Sequence, residues 1–433
     1  MPKICIPLML ALTVLICGIA VTAKAQDAFD REPINYSTAE PDDAVSQLQA
    51  KIEQGEVELE DGRGHGTLKA LLHELQVPVS SQVLVFSKTS FQPSRISPRT
   101  PRALYFNDDV YVGWVQNSNT LELAVADPKL GTNFYTLSRA NGHPHFVRET
   151  HQCLQCHASS HTNQIPGHIV RSVYPGEDGT PIYRAGTFRT DQTSPFEQRW
   201  GGWYVSGSHG RQRHMGNVVV KDPGDPEALD VEAGANLQDL STKFDTSPYL
   251  SAHSDLVALL VLEHQTQMHN LITAANFETR RALHHQAEMN RLFDEPANYQ
   301  SETTKSRIRN SCRRLVKYML FADEARLTDK ITGTSEFAEQ FVARGPLDKE
   351  GRSLRQFDLG RRLFKYPCSY LIYSSAFNGL PQAALDQIYR QLYDVLTGRD
   401  EDEQFAHLTD ADRQAILEIL RQTKSDLPGY WRS

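Results

Sequence analysis

Residues 254–285 read Ser-Asp-Leu-Val-Ala-Leu-Leu-Val-Leu-Glu-His-Gln-Thr-Gln-Met-His-Asn-Leu-Ile-Thr-Ala-Ala-Asn-Phe-Glu-Thr-Arg-Arg-Ala-Leu-His-His, with no proline or glycine. Val257, Leu260, Val261, His264, Met268, Leu271 and Ala275 fall three or four apart, so they share one helical face. The stretch predicts one long helix, or two joined end to end. The same period continues to the C-terminus, with helices expected over 306–327, 335–343, 353–364, 382–397 and 410–423. Thr409 stands just before the last of these and Asp412 three residues on, a pattern similar to a capping box.

Upstream the character changes. Short runs rich in Val, Tyr, Phe and Trp, separated by Asn, Asp, Gly and Pro, predict strands at 82–87, 102–106, 110–115, 121–126, 134–138, 169–173, 182–188, 203–206 and 218–220. A short helix is expected at 67–76, and residues 26–65 read as a polar, loosely ordered leader. Lys221-Asp222-Pro223-Gly224-Asp225-Pro226 opens a polar stretch that places a boundary within 221–248. The expected fold class is therefore α+β, with a β-rich unit over 66–225 and a helical unit over 245–433. No repeat, coiled coil or internal membrane span is evident in the sequence.

The N-terminus has a different composition. Lys3 precedes an apolar run from Ile4 to Val21, and Ala23-Lys24-Ala25 matches a small-x-small cleavage site, so residues 1–25 read as a signal peptide for export. The alternative is an uncleaved membrane anchor. Ile16 before Cys17 is too large for a lipoprotein signal. The formal net charge of −8 becomes about −10 once the segment is removed, because it holds two lysines and no acid. That balance argues against nucleic acid or anionic lipid as the main partner. Four cysteines remain, and of these Cys312 and Cys368 read either as a disulfide or as two buried thiols.

The other two stand in Cys153-Leu154-Gln155-Cys156-His157, a CxxCH sequence. In a chain with 6 Cys and 16 His among 433 residues, chance would supply the pattern about 0.003 times. Two thiols at this spacing can each form a thioether with a vinyl group of haem, and the adjacent imidazole can take the iron's proximal position. Cys153 and Cys156 are thus the expected attachment points for one haem c, and His157 its iron ligand. A thioredoxin-like pair would want a strand before the motif, whereas Gly142-His143-Pro144-His145 reads as a turn. A zinc site would need two further spaced ligands.

The iron's sixth position decides function, since a protein ligand suits electron transfer and an open position suits reaction with a small molecule. Met215, in the Gly-flanked loop 210–217, is the expected thioether ligand. His264 and Met268 on the long helix, one of His143, His145, His151, His161 and His168, or an open site are the alternatives. Arg171, Arg184, Arg189, Arg199, Arg211 and Arg213 lie between the motif and the boundary, where one or two could pair with haem propionates. Arg199-Trp200-Gly201-Gly202-Trp203-Tyr204 could bring backbone and aromatic walls close to a flat ring.

The motif and the export signal together resemble the bacterial c-type cytochrome superfamily. The rest of the chain is similar to its large exported mono-haem members. Asp358-Leu359-Gly360-Arg361-Arg362-Leu363-Phe364 resembles the segment that opens di-haem cytochrome c peroxidases, but no CxxCH follows, so it is read as an ordinary amphipathic helix. With His157 and a sixth protein ligand on the iron, the expected function is a periplasmic electron carrier that exchanges electrons with a redox partner protein or a small-molecule donor or acceptor. A haem enzyme with an open distal site, or a haem-based sensor, are the other classes the motif allows.

Overall fold

The computed structural model describes residues 28–59, 65–140 and 143–432, so the expected signal segment lies outside the described residues. The fold is α+β, with a β-rich N-terminal half and a helical C-terminal half.

The polar leader is more ordered than its composition predicts. Asp43 caps α1 (Ala44–Glu53) by accepting the Val45 and Ser46 N–H groups at 3.0 and 2.9 Å, while the Ser46 hydroxyl accepts the Asp43 N–H. A few apolar side chains, Phe29, Ile34, Tyr36, Val45 and Leu48, bury themselves and anchor the segment. α2 (Gly66–Glu74) follows.

The strands β1 (Val83–Val85), β2 (Arg102–Phe106), β3 (Val110–Trp114), β4 (Leu121–Asp127), β5 (Gly131–Ala140) and β6 (His143–Arg148) run antiparallel in sequence order. β6 corrects the turn reading at His143, Pro144 and His145; Gly142 lies outside the described residues. It is an edge strand, where Pro144 can sit without breaking a ladder on its outer side. α3 (Leu154–His157) is a single turn, and β7 (Arg171–Val173) and β8 (Thr187–Arg189) form a separate ribbon. β9 (Trp203–Tyr204) then closes the main sheet against β1, giving the order β6-β5-β4-β3-β2-β1-β9. No strand forms at 218–220, where the buried chain instead donates the Val220 N–H to the Pro175 carbonyl.

The long helix is α4 (Leu256–Phe293), 38 residues and about 57 Å of rise. α5 (Glu302–Met319), α6 (Phe337–Ala343), α7 (Ser375–Asn378), α8 (Gln382–Leu396) and α9 (Asp410–Thr423) complete the half. Thr409 and Asp412 form the capping box of α9. α5 stops short of residue 327 because Phe321 and Asp323 take left-handed backbone. The helix expected over 353–364 is a loop: Asp358 Oδ1 accepts the Gly360 and Arg361 N–H groups at 2.9 and 2.8 Å, and Leu359 has φ 55°.

Period-two alternation gives the sheet two buried faces. Leu84, Ala103, Tyr105, Val112 and Leu123 pack with Leu68, Leu71 and Leu72 of α2. On the other face Val83, Val85, Phe106 and Tyr111 share a core with Leu256 to Leu262 of α4 and with α5 and α8. The two halves are thus joined by one continuous apolar cluster. Among the described residues no helix is long and apolar enough to cross a membrane.

Asp255 fixes the start of α4. Its Oδ1 accepts the Val257 and Ala258 N–H groups at 2.8 and 3.1 Å, and its Oδ2 accepts the Thr334 and Ser335 N–H groups at 2.7 and 2.8 Å. Asp255→Ala removes a cap and strands buried donors, so chemical unfolding is expected to show a loss of about 2–4 kcal/mol. A loss under about 0.5 kcal/mol would mean that these donors find other partners.

Candidate functional site

A cavity of about 390 Å³ lies between the sheet and α4. Alternate residues of four adjacent strands supply its floor: Arg102 and Leu104, Tyr111 and Gly113, Glu122 and Ala124, Phe134 and Thr136. Leu262 and Thr266 of α4 and Val170 and Trp203 face them, and Cys153, Cys156 and His157 close one end. Its size falls in the range of cofactor sites, about 300–1,000 Å³, and apolar and aromatic side chains dominate its lining.

α3 brings the motif's three functional side chains to one wall. The His157 Nδ1 lies 2.9 Å from the Gly167 carbonyl oxygen. A carbonyl only accepts, so Nδ1 carries the proton and Nε2 presents its lone pair. Among the described residues Nε2 has no hydrogen bond, and burial holds the imidazole's pKa below its ordinary value, favouring the neutral ligand form. Phe134 packs on the ring at 4.7 Å between centroids.

The Gly167 carbonyl is itself held from α4. Asn270 Oδ1 accepts the His168 N–H at 2.8 Å and Asn270 Nδ2 donates to the His168 carbonyl at 2.9 Å. A Cβ on Gly167 would overlap Asn270 Oδ1, so this close approach requires glycine. The long helix therefore helps to orient the histidine through the His168 backbone.

Charged groups are few. Arg102 Nη2 and Glu122 Oε2 form an ion pair at 2.5 Å across β3, and Gly113 between them leaves the space that the guanidinium fills. Arg171 borders the cavity with no carboxylate partner among the described residues. His168 borders it too, with Nε2 3.1 Å from the Thr132 hydroxyl, and burial holds its pKa well down.

The remaining expected residues lie elsewhere. Met215 does not border the cavity: its N–H donates to the Arg199 carbonyl, and its sulfur accepts from the Ser172 hydroxyl at 3.6 Å. Its sulfur therefore lies outside the lining that holds Cys153, Cys156 and His157. His264 is fully buried, bonded through Nδ1 to Gln192 Oε1 at 2.5 Å and through Nε2 to Ser369 Oγ at 2.8 Å, with its pKa pushed down to about 3 by burial. Met268 is a core residue. Of the histidines between 143 and 168, His157 and His168 reach the cavity, while His145, His151 and His161 are exposed. Cys312 and Cys368 are separate buried thiols. Sequence reasoning missed Gly167, Asn270 and the inward face of the sheet. The signal available was Arg102 and Glu122, charged residues inside otherwise apolar strands.

Other uses of the thiol pair fit poorly. Burial, then Glu149, pushes the Cys153 thiol up to about 11, the wrong direction for a reactive dithiol. Among the described residues no three His, Cys, Asp or Glu side chains gather to hold a metal ion. The donor set does fit a covalently held haem: two thiols, one oriented imidazole, an apolar cavity, and Arg171 for a carboxylate. Against protein-family models, curated proteins and solved structures, the chain gives no match.

Proposed function

We propose that this chain is an exported c-type cytochrome that binds one haem through Cys153 and Cys156 and transfers electrons in the periplasm. The observation that carries the reading is the Nδ1–H of His157 on the Gly167 carbonyl, which turns Nε2 into a free, neutral ligand beside both thiols. Bound haem would supply a one-electron couple. The chain's own residues orient the imidazole, exclude water with Leu104, Phe134, Val170 and Leu262, and would offer the Arg171 guanidinium to a propionate. Cys156 is exposed, so an edge attached there would lie near solvent, where a redox partner could approach.

In a host competent for cytochrome maturation, the purified protein is expected to gain the mass of one haem that survives denaturation. The Cys153→Ala/Cys156→Ala variant is expected to gain none. Wild-type chain without added tetrapyrrole mass would end this reading.

A haem enzyme is the second reading, favoured by His168 and Arg171 on the same cavity, groups able to hold a proton and an anion. Carbon monoxide separates the two. A carrier with both axial positions filled resists it after reduction, and an open distal site binds it readily.

A further inference from the structure

Two donors on the cavity wall lack acceptors. Tyr111 and His168 both border the cavity, are 7% and 6% exposed, and lie with ring centroids 4.3 Å apart. The Tyr111 hydroxyl accepts an N–H from Gln265 Nε2 at 2.8 Å. Gln265 has no acceptor left to offer in return, because its other amide hydrogen goes to the Asn107 carbonyl and its Oε1 accepts from the Tyr370 hydroxyl. The Tyr111 O–H proton therefore has no partner among the described residues.

His168 reaches the same condition through its tautomer. Its Nε2 lies 3.1 Å from the Thr132 hydroxyl, which has no other partner among the described residues, and its Nδ1 has none at all. If the hydroxyl donates, the Nδ1–H alone is left unmatched. If it accepts, its own proton and the Nδ1 lone pair are both left unmatched. Buried polar groups settle with the fewest orphans, and burial keeps the ring neutral, so the single ring proton sits on Nδ1.

An oxygen with lone pairs and no proton would satisfy both groups, and the surroundings set its charge. His269, packed beside both rings, is held neutral by burial with its Nε2 2.8 Å from the Asp108 carbonyl. Burial, then Tyr370, Asp109 and Asp108, hold the Tyr111 proton in place, so further negative charge is resisted at that hydroxyl. A neutral acceptor fits this corner better than an anion. Leu262 and Val170 supply apolar wall in the same cavity, and an apolar wall with a few convergent polar groups is the usual build of a small-molecule site.

We infer that Tyr111 and His168 form a binding subsite for a small neutral molecule with an acceptor oxygen, a sulfoxide, amide or ketone, whose oxygen takes both donors while its carbon groups lie on the apolar wall. No bond forms or breaks. The inference uses the cavity alone and stands whichever way the thiols are used.

The test uses the full-length Cys153→Ala/Cys156→Ala chain, which can carry no thioether-bound haem, with dimethyl sulfoxide as probe and formate as a small anionic counterpart. Saturation-transfer NMR titrations are expected to show dimethyl sulfoxide binding at least about tenfold more tightly than formate. Tyr111→Phe keeps the ring and removes the proton, so binding should weaken about three- to tenfold, the worth of one hydrogen bond. Thr132 does not border the cavity, yet Thr132→Val frees the His168 proton to move to Nε2. It is expected to weaken binding by a similar factor and to shift the His168 ring nitrogen resonances. Tyr105→Phe, which removes a buried hydroxyl that donates to Gln82 Oε1 on the sheet's other face, is expected to change nothing. Formate binding as tightly as dimethyl sulfoxide, unchanged binding in Tyr111→Phe, or no saturable binding to a chain that unfolds cooperatively overturns the inference. Should the double-alanine chain fail to unfold cooperatively, the same titrations on the wild-type protein decide by the same outcomes. Presence or absence of tetrapyrrole mass on the wild type bears on the cytochrome reading alone.

Discussion

His157→Ala is expected to leave both thiols in place and to remove the motif's oriented nitrogen, which has no hydrogen bond among the described residues. Covalent haem per chain should fall more than about a hundredfold, beyond the 10–100-fold that loss of a supporting group typically costs. Whatever haem remains should change its absorbance, and free imidazole should restore the wild-type bands. Gly167→Ala tests the support itself. The added methyl would meet Asn270 Oδ1 and shift the carbonyl that fixes the His157 tautomer, so a loss of about 10–100-fold in retained haem is expected. If both variants load haem with unchanged spectra, the ligand is not His157.

Arg199→Met is expected to cost about 3–5 kcal/mol in urea unfolding near pH 8. Arg199 Nη1 donates to Glu263 Oε2 at 2.6 Å, and the two side chains are 4% and 0% exposed. Its other bonds, from Nε to the Ser194 carbonyl and from Nη2 to the Gln192 and Ser194 carbonyls, tie α4 to the loop before β9. Burial pushes the Glu263 carboxyl up to about 7 even with Arg199 opposing it. A carboxyl whose folded pKa exceeds its unfolded value, about 4.3, favours the protonated folded form. Stability from such a group is full below the unfolded pKa and is lost as pH rises through the folded one. Removing the arginine raises the folded pKa further, so the variant's deficit should grow from about pH 5 to pH 8. Adding Glu263→Gln should recover part of the loss at pH 8. Equal deficits at the two pH values would show that packing, rather than the stranded carboxylate, sets the cost.

Local chemistry explains which parts of this molecule could be read from its sequence. β2, β3 and β4 match expectation to within a residue at each end, because their runs end at Asn-Asp, Gln-Asn and Asp-Pro turns. α9 carries its own cap and matches from end to end. α4 outruns its expected end by two turns and stops at Asp294, whose left-handed backbone precedes Glu295-Pro296. The misses have tertiary causes. α1 depends on Asp43, whose other oxygen accepts from Asn133 and Tyr135, partners about 90 residues away. The 353–364 segment has helical spacing, but its aromatics Phe357 and Phe364 pair across a loop. At the candidate site the pentapeptide alone located Cys153, Cys156 and His157. The Gly167 carbonyl is invisible to sequence, since a backbone oxygen has no residue type. Met215 was plausible by spacing alone, and spacing does not report which wall a loop faces.

α4 also imposes an order of events. Leu262 and Thr266, which roof the cavity, stand about a hundred residues downstream of the thiols. A chain emerging N-terminus first presents its cysteines before that roof exists. If the proposed haem is the cargo, a macrocycle would have its freest access in that interval, and a polypeptide that docks its long helix early would offer it less. Timing during biogenesis, more than final affinity, should then govern how many molecules mature.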